Sequence, residues 1–398
     1  MKVVRVLLAS FLLLSLLPGC WNRKEINELA IQVGTAIDKV GSQYRVAVQV
    51  VVPAEVSSRA AGSGRSPVTI YEATATTIFE AFRKLTETSP REIYSAHIRV
   101  LVLGEALARE GIIDVLDALS RNPEARSDFY IMIARKSEGK DVLKILTTLE
   151  KIPAENLFHT LDTSSKTWSP TTSVTLDQLI EQLVTKSSSP VLTGAKIIGN
   201  QHGGMTIKNV EEAESAAMVR FIGLAVFKED KLEGWLNEKE SRGYNYIMNN
   251  VKTSAGHIKC PSGGSAVMET THTKTKLKGK IVDGEPVIRI ELKNMGTISD
   301  VECRLDLKDP HMISELEERS RNHLIEVMDE AIHASKNRFH RDIFGFGQVL
   351  YRYYPDAWEK MKDNWSAHFN KLKVEYAVDS IIQKIGTTND SLRKYLKE

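Results

Sequence analysis

Ser137-Glu138-Gly139-Lys140 has the spacing of an S-x-x-K nucleophile, in which an amine takes the serine proton ahead of acyl transfer. The stretch sits in a predicted turn and its companion motifs are missing, so it reads as a turn. His333 and His340 fall seven apart on one predicted helix, too few ligands for a metal, and read as solvated or packing residues. His97, just ahead of an apolar run, reads as a hydrogen-bonded structural residue. Gly62-Ser63-Gly64 lacks the Gly-Lys-Ser/Thr ending and the following helix start that cradle a phosphate. No G-x-S-x-G, H-E-x-x-H, C-x-x-C or nucleotide fingerprint occurs. No catalytic site, metal site or cofactor is expected.

Three cysteines are too few for a disulfide framework. Cys20 is a case of its own. Lys2 and Arg5 precede a twelve-residue apolar run, Val6–Leu17, and then Pro18-Gly19-Cys20. A basic start and a short apolar core describe a secretory signal peptide over residues 1–19. Twelve residues are too short to span a bilayer, which needs about twenty. Leu17-Pro18-Gly19-Cys20 resembles the lipobox of bacterial lipoproteins, which implies that the Cys20 thiol is lipidated. Cys260 and Cys303 would then form an even pair outside the cytoplasm. An oxidising exterior permits a bridge between them, and two buried thiols are the alternative.

The elements that must position these residues follow from the rest of the 398-residue chain. Its length suggests two or three domains. Hydrophobic residues at 42% and charged ones at 26% match an ordinary globular protein, not a disordered chain or a multi-span membrane protein. The net charge is +2, and removal of residues 1–19 leaves 51 basic and 51 acidic residues. This balance argues against nucleic acid as a partner.

Residues 21–30 predict a short helix. Ala30–Ala36 and Tyr44–Val52 predict a hairpin, and residues 53–67 a mobile loop. Further strands are expected at Val68–Ala75, Ile98–Gly104 and Phe129–Ala134. Helices are expected at Thr76–Glu87, with Ile78, Phe79, Phe82 and Leu85 inward, then at Glu105–Leu119, Asp141–Leu146 and Leu176–Val184. Residues 160–175 read as a loop. Strands Val191–Gly199 and Ala216–Phe227 precede one or two helices within Glu233–Val251. The last region shows short strands at Ala266–Lys276, Pro286–Leu292 and Thr297–Leu307, with a turn at Asp283-Gly284. A long helix over 310–341 follows, then a strand at Val374–Ile382. The expected organisation is an α+β chain of three mixed-sheet domains with helices packed on the sheets: 20–186, 187–255 and 256–398. Trp358, Trp365 and Phe369 form a core stripe at helical spacing.

Several stretches together resemble the Ger(x)C family of spore germination lipoproteins, the C subunits of nutrient germinant receptors. They are Cys20-Trp21-Asn22-Arg23-Lys24-Glu25-Ile26, Ser89-Pro90-Arg91, His97–Glu105 and Arg121-Asn122-Pro123-Glu124. Ala225-Val226-Phe227-Lys228, Gly234-Trp235-Leu236, Asp342-Ile343-Phe344-Gly345-Phe346-Gly347, Tyr351, Tyr354-Pro355, Trp358, Trp365 and Phe369 complete the set. The resemblance covers nearly the whole chain. It implies a three-domain α+β protein without a catalytic site, on the outer face of the spore inner membrane, acting with two integral membrane subunits, A and B. A competing reading is a lipid-anchored extracytoplasmic solute-binding protein, which needs a cleft with convergent polar groups. A cell-wall hydrolase would need a carboxylate pair, since nucleophile and metal motifs are missing.

Overall fold

The computed structural model describes Val3 and residues 25–56, 65–124, 126–184, 188–261 and 263–384. Apart from Val3, the expected signal peptide lies outside the described residues, as do Cys20 and Gly62-Ser63-Gly64.

The first sheet has nine strands: β1 Leu29–Val40, β2 Gln43–Val51, β3 Val68–Ala75, β4 Glu92–Tyr94, β5 Val100–Gly104, β6 Tyr130–Ala134, β7 Val191–Gly199, β8 Ala217–Lys228 and β9 Lys231–Leu236. Their order is β3-β2-β1-β5-β6-β7-β8-β9, with β4 on β1. The centre, β1-β5-β6-β7, is parallel and the flanks are antiparallel. Parallel strands need both faces covered, which is why Val100–Gly104 and Ile131–Ala134 are apolar without alternation and fully buried. The period of two then sorts them into two cores. Ile37, Leu101, Leu103 and Ile131 face α1 (Ile78–Lys84), α3 (Ile113–Ser120) and α6 (Leu176–Val184). Ala36, Val100, Val102 and Met132 face α4 (Gly139–Lys144) and α5 (Pro153–Thr167). Buried Gln49 links these last two helices, donating to the Leu143 carbonyl at 2.7 Å and accepting the Ala154 N–H at 2.9 Å.

Several elements differ from the sequence expectation. The predicted helix over 21–30 is, in its described part, a 3-10 turn at Ile26–Glu28, because Leu29 already pairs with β4. The predicted helix Glu105–Leu119 is two helices, α2 (Glu105–Glu110) and α3, separated at Gly111, whose φ of 141° no helix accepts. The expected loop 160–175 is helical as far as Thr167. Ala154, Leu157 and Leu161 carry that helix, while Ser165 and Thr167 turn their hydroxyls onto its own carbonyls. Strands β7 and β8, expected in a middle region of their own, hydrogen-bond onto the first sheet through the parallel β6–β7 pairing, and β9 joins them where helix was expected from Glu233.

The second sheet has the order β10-β11-β12-β13, with β10 Ser254–Lys259, β11 Ser265–Val282, β12 Glu285–Val301 and β13 Lys373–Lys384. β11 and β12 form one long hairpin, so the separate segments Pro286–Leu292 and Thr297–Leu307 merge up to Val301. Its turn takes Asp283 and Gly284 through positive φ of 53° and 83°, the hairpin geometry that Asp-Gly favours. The long helix α8 spans Pro310–Ala334, with Pro310 in the first turn and Asp309 capping the His311 N–H at 2.9 Å. A π-helical turn, Ser335–Phe339, ends it short of 341. α7 (Glu238–Ile247) leaves the first sheet and lies on α8. One apolar cluster joins Leu224, Val226 and Leu236 of the first sheet to Tyr244, Ile290, Val327 and Phe344, so the two sheets share a core. The chain is thus an α+β protein of two mixed sheets with packed helices.

Candidate functional site

The S-x-x-K stretch is structural. Asp38, buried on β1, accepts the N–H groups of Gly139 at 2.7 Å and Lys140 at 3.1 Å, and so starts α4. Burial pushes the Asp38 carboxyl up; the two N–H donors pull it back. The Ser137 hydroxyl is buried without a hydrogen-bond partner among the described residues, and the Lys140 amine stands 3.4 Å from Glu72 and 3.5 Å from Glu138. The serine therefore has no base at hand. His97, expected to be hydrogen-bonded, is exposed and sets its ring edge-on to Tyr94. His333 and His340 are exposed, and the described residues hold no group of three metal-ligating side chains. Cys260 and Cys303 are joined in a disulfide that ties the end of β10 to the segment after β12. Both pack among Ile258, Met268, Ile298 and Leu305.

Asp342 is a tightly held ionisable group of the second half. It is buried, and accepts the N–H groups of Phe344 at 3.0 Å and Gly347 at 2.9 Å and the Trp365 indole N–H at 3.1 Å. Its carboxyl is pushed up to about 6, because desolvation outweighs these donors. The carboxylate folds Asp342–Gly347 around itself and clips α9 (Trp365–Lys371) to the loop after the π-turn. Trp358, Trp365 and Phe369 lie buried beside it, Trp365 edge-on to Trp358 at 5.2 Å.

A recess with apolar walls lies elsewhere, on the first sheet. A groove of about 460 Å³ runs between α1, β4, the end of α3 and the Arg121–Glu124 turn. Ile78, Phe82, Ile93 and Leu119 supply apolar wall. Phe79, expected inward, is 66% exposed at this groove with the Arg83 guanidinium 5.1 Å over its ring. A helix of seven residues has two turns, and Ile78 and Ala81 take its buried face, leaving Phe79 on the solvent side. Local hydrogen bonds build the Arg121–Glu124 lip of the groove and the neighbouring Ser89–Arg91 turn. Ser89 donates to the Arg91 carbonyl at 2.7 Å, and the Asn122 side chain accepts the Glu124 N–H at 3.0 Å. Arg121 on the rim is engaged by Asp117 through two bonds of 2.8 and 2.9 Å. With its arginines turned to Phe79 and Asp117, the groove offers apolar contact more than the convergent polar groups a solute-binding cleft requires.

The same end of the sheet receives the start of the chain. Leu29 pairs with Glu92 and Ala30 with Ile93, both groove residues. A shallower hollow lined by Asn27, Glu28, Ser89 and Arg91 adjoins the groove, sharing Thr86 and Glu92 with it. Sequence reasoning named Ser89-Pro90-Arg91 and Arg121–Glu124 without bringing them together. The signal that would have done so is the three-residue β4, too short for periodicity to reveal. No described helix is long and apolar enough to cross a membrane.

Residues 22–197 match the family model described as spore germination protein N-terminal domain, and residues 222–386 match spore germination B3/GerAC like, C-terminal. Spore germination protein KC of Bacillus subtilis (strain 168) is 31% identical over 100% of both chains. Spore germination protein B3 of the same organism is 25% identical over 97% of this chain and 99% of its own. The crystal structure of the GerBC protein has the same fold, with TM-score 0.54 and 19% identity over 88% of this chain and 97% of that one.

Proposed function

Because the chain belongs to the spore germination B3/GerAC-like family, we propose that it is the non-catalytic, lipid-anchored subunit of a spore germinant receptor. In this role it works beside two integral membrane subunits, A and B, on the outer face of the spore inner membrane, and is needed for nutrient-triggered germination. The end-to-end similarity to spore germination protein KC carries the reading.

The anchor supplies the mechanism. Each buried methylene contributes about 0.8 kcal/mol, so a single fatty chain holds a protein marginally and two hold it stably. Diacylation of Cys20 keeps the chain at the surface and raises its effective concentration toward membrane neighbours. Glu25 is five residues from Cys20, so the 3-10 turn at Ile26–Glu28, the Ser89–Arg91 lip and the groove lie at the membrane-facing end. That end of the first sheet contacts the partners.

The test is spores carrying Cys20→Ala. The protein should leave the membrane fraction and nutrient germination should slow by about tenfold or more, as expected when a millimolar effective concentration is lost. Full-rate germination with the protein soluble would sink the proposal.

A further inference from the structure

The second sheet ends on β13, which pairs with β12 and with no other described strand. Successive residues of a strand turn their N–H and C=O groups to opposite sides. Two side chains of the helical layer show which residues turn outward. Glu317 accepts the Ile382 N–H at 2.8 Å, and Lys336 donates to the Leu372 carbonyl. The β12–β13 register runs unbroken from Lys373 to Ile382, so Val374, Tyr376, Val378 and Ser380 turn outward as well. Among the described residues nothing bonds their outward N–H and C=O groups. Side chains thus close both ends of the edge and leave the stretch 374–380 open. Natural sheet edges are blunted by lysine, proline or a bulge. Residues 374–380 have none of the three. Val374, Tyr376 and Val378 pack on the second core and stay half-buried, with the Tyr376 hydroxyl donating to Asp329 of α8 at 2.9 Å.

The charges of this edge fit a second copy of itself. A two-fold axis through the edge sets the two strands antiparallel. Two registers lie nearest the middle of the open stretch. With Ala377 on the axis, Glu375 faces Asp379 of the other copy, and like charges directly opposite are destabilising. With Tyr376 on the axis, Lys373 faces Asp379 twice over, and Glu375 faces Ala377. On the helix side the same register sets Val374 against Val378 and Tyr376 against Tyr376, apolar and aromatic pairs of the kind that stabilise sheets. Three residue pairs then exchange about six backbone hydrogen bonds. We propose that two copies of this chain pair along β13, antiparallel about an axis at Tyr376, and join their second sheets into one. The joint finishes the burial of Val374, Tyr376 and Val378 and satisfies the open backbone groups.

The test uses the full chain carrying Cys20→Ala in density-matched detergent, so it depends on neither the anchor nor the receptor role. Sedimentation equilibrium should show monomer and dimer in exchange. Lys373→Asp and Asp379→Lys should each weaken the dimer about tenfold or more, since each sets like charges opposite at two symmetric places. The double variant restores both pairs, and its dimer should return to within about threefold of the parent. Both positions are exposed, so the fold should survive either change, and Tm measures that. A disulfide then reads the register. Glu375→Cys with Ala377→Cys should cross-link two chains under mild oxidation about tenfold faster than Ala377→Cys alone, because position 377 faces position 375 of the other copy and not itself. A chain that stays monomeric at about 100 μM, far above a micromolar Kd, overturns the proposal and leaves the edge to a strand of another protein. A double reversal as weak as the single ones overturns it, and so does equally fast cross-linking by Ala377→Cys alone.

Discussion

The joint between the two sheets depends on one glycine. Gly243 lies where α7 crosses α8, and a Cβ there would stand 2.1 Å from the Val327 carbonyl oxygen and 2.9 Å from the Ala331 Cβ. The obstructing atom is backbone and cannot rotate aside, so Gly243→Ala forces the helices apart by about 1 Å, enough to weaken their dispersion contacts. Alanine gains about 1 kcal/mol of helix propensity over glycine. Overpacking costs about 1–3 kcal/mol where side chains can adjust, and more where the backbone must move. The cost wins, and the net loss should be about 2 kcal/mol. For a 398-residue chain that lowers Tm by roughly 2–3 °C. Gly256→Ala is the control. It meets nothing closer than 3.9 Å at ordinary φ and should stay within about 0.5 kcal/mol. Differential scanning calorimetry of the two purified variants measures both. An unchanged or raised Tm for Gly243→Ala would refute the close crossing and the shared core it maintains.

Asp342 makes stability depend on pH. Its folded-state value, about 6, lies above the ordinary 3.8, so the native state binds the proton more tightly than the unfolded chain. Stability from this group is therefore full below pH ~4 and falls as pH rises toward ~6, by about 3 kcal/mol in total. Asp342→Asn removes that slope and, by facing an amide toward two N–H donors, costs about 2–4 kcal/mol at pH 7. The gap from wild type should widen from pH 7 to pH 5 in urea titrations; a constant gap would contradict the assignment. Cys260→Ser with Cys303→Ser opens a loop of 43 residues' separation, and chain entropy sets the loss at about 4 kcal/mol. Equal urea midpoints with and without the bridge would refute it. Phe79→Ser should leave the unfolding free energy within about 0.5 kcal/mol of wild type, since the ring is mostly exposed. A loss beyond about 2 kcal/mol would show that Phe79 belongs to the core.

The sequence revealed elements where one physical signal dominated. Val68–Ala75 and Val191–Gly199 match their strands residue for residue, because apolar β-branched runs end at clear breakers. Asp309-Pro310 marked the start of α8, and Asp283-Gly284 the hairpin turn. Contacts distant in sequence were not legible. Nothing local says that β7 pairs with β6 and draws the middle strands into the first sheet, or that Gly243 must lack a side chain beneath Val327. α5 was hidden because Ser and Thr on its polar face look like loop composition. Phe79 was misplaced because a seven-residue helix cannot bury every apolar residue at i, i+1 and i+4. The motif segments Ser89–Arg91 and Arg121–Glu124 were visible, but only the fold sets the first on a hollow that adjoins the groove lined by the second.

The receptor role is tested most directly by a pull-down from detergent-solubilised spore membranes, with this protein tagged at its C-terminus. The account predicts recovery of two co-purifying integral membrane proteins, both lost on Cys20→Ala. Recovery of this protein alone under gentle conditions would contradict it.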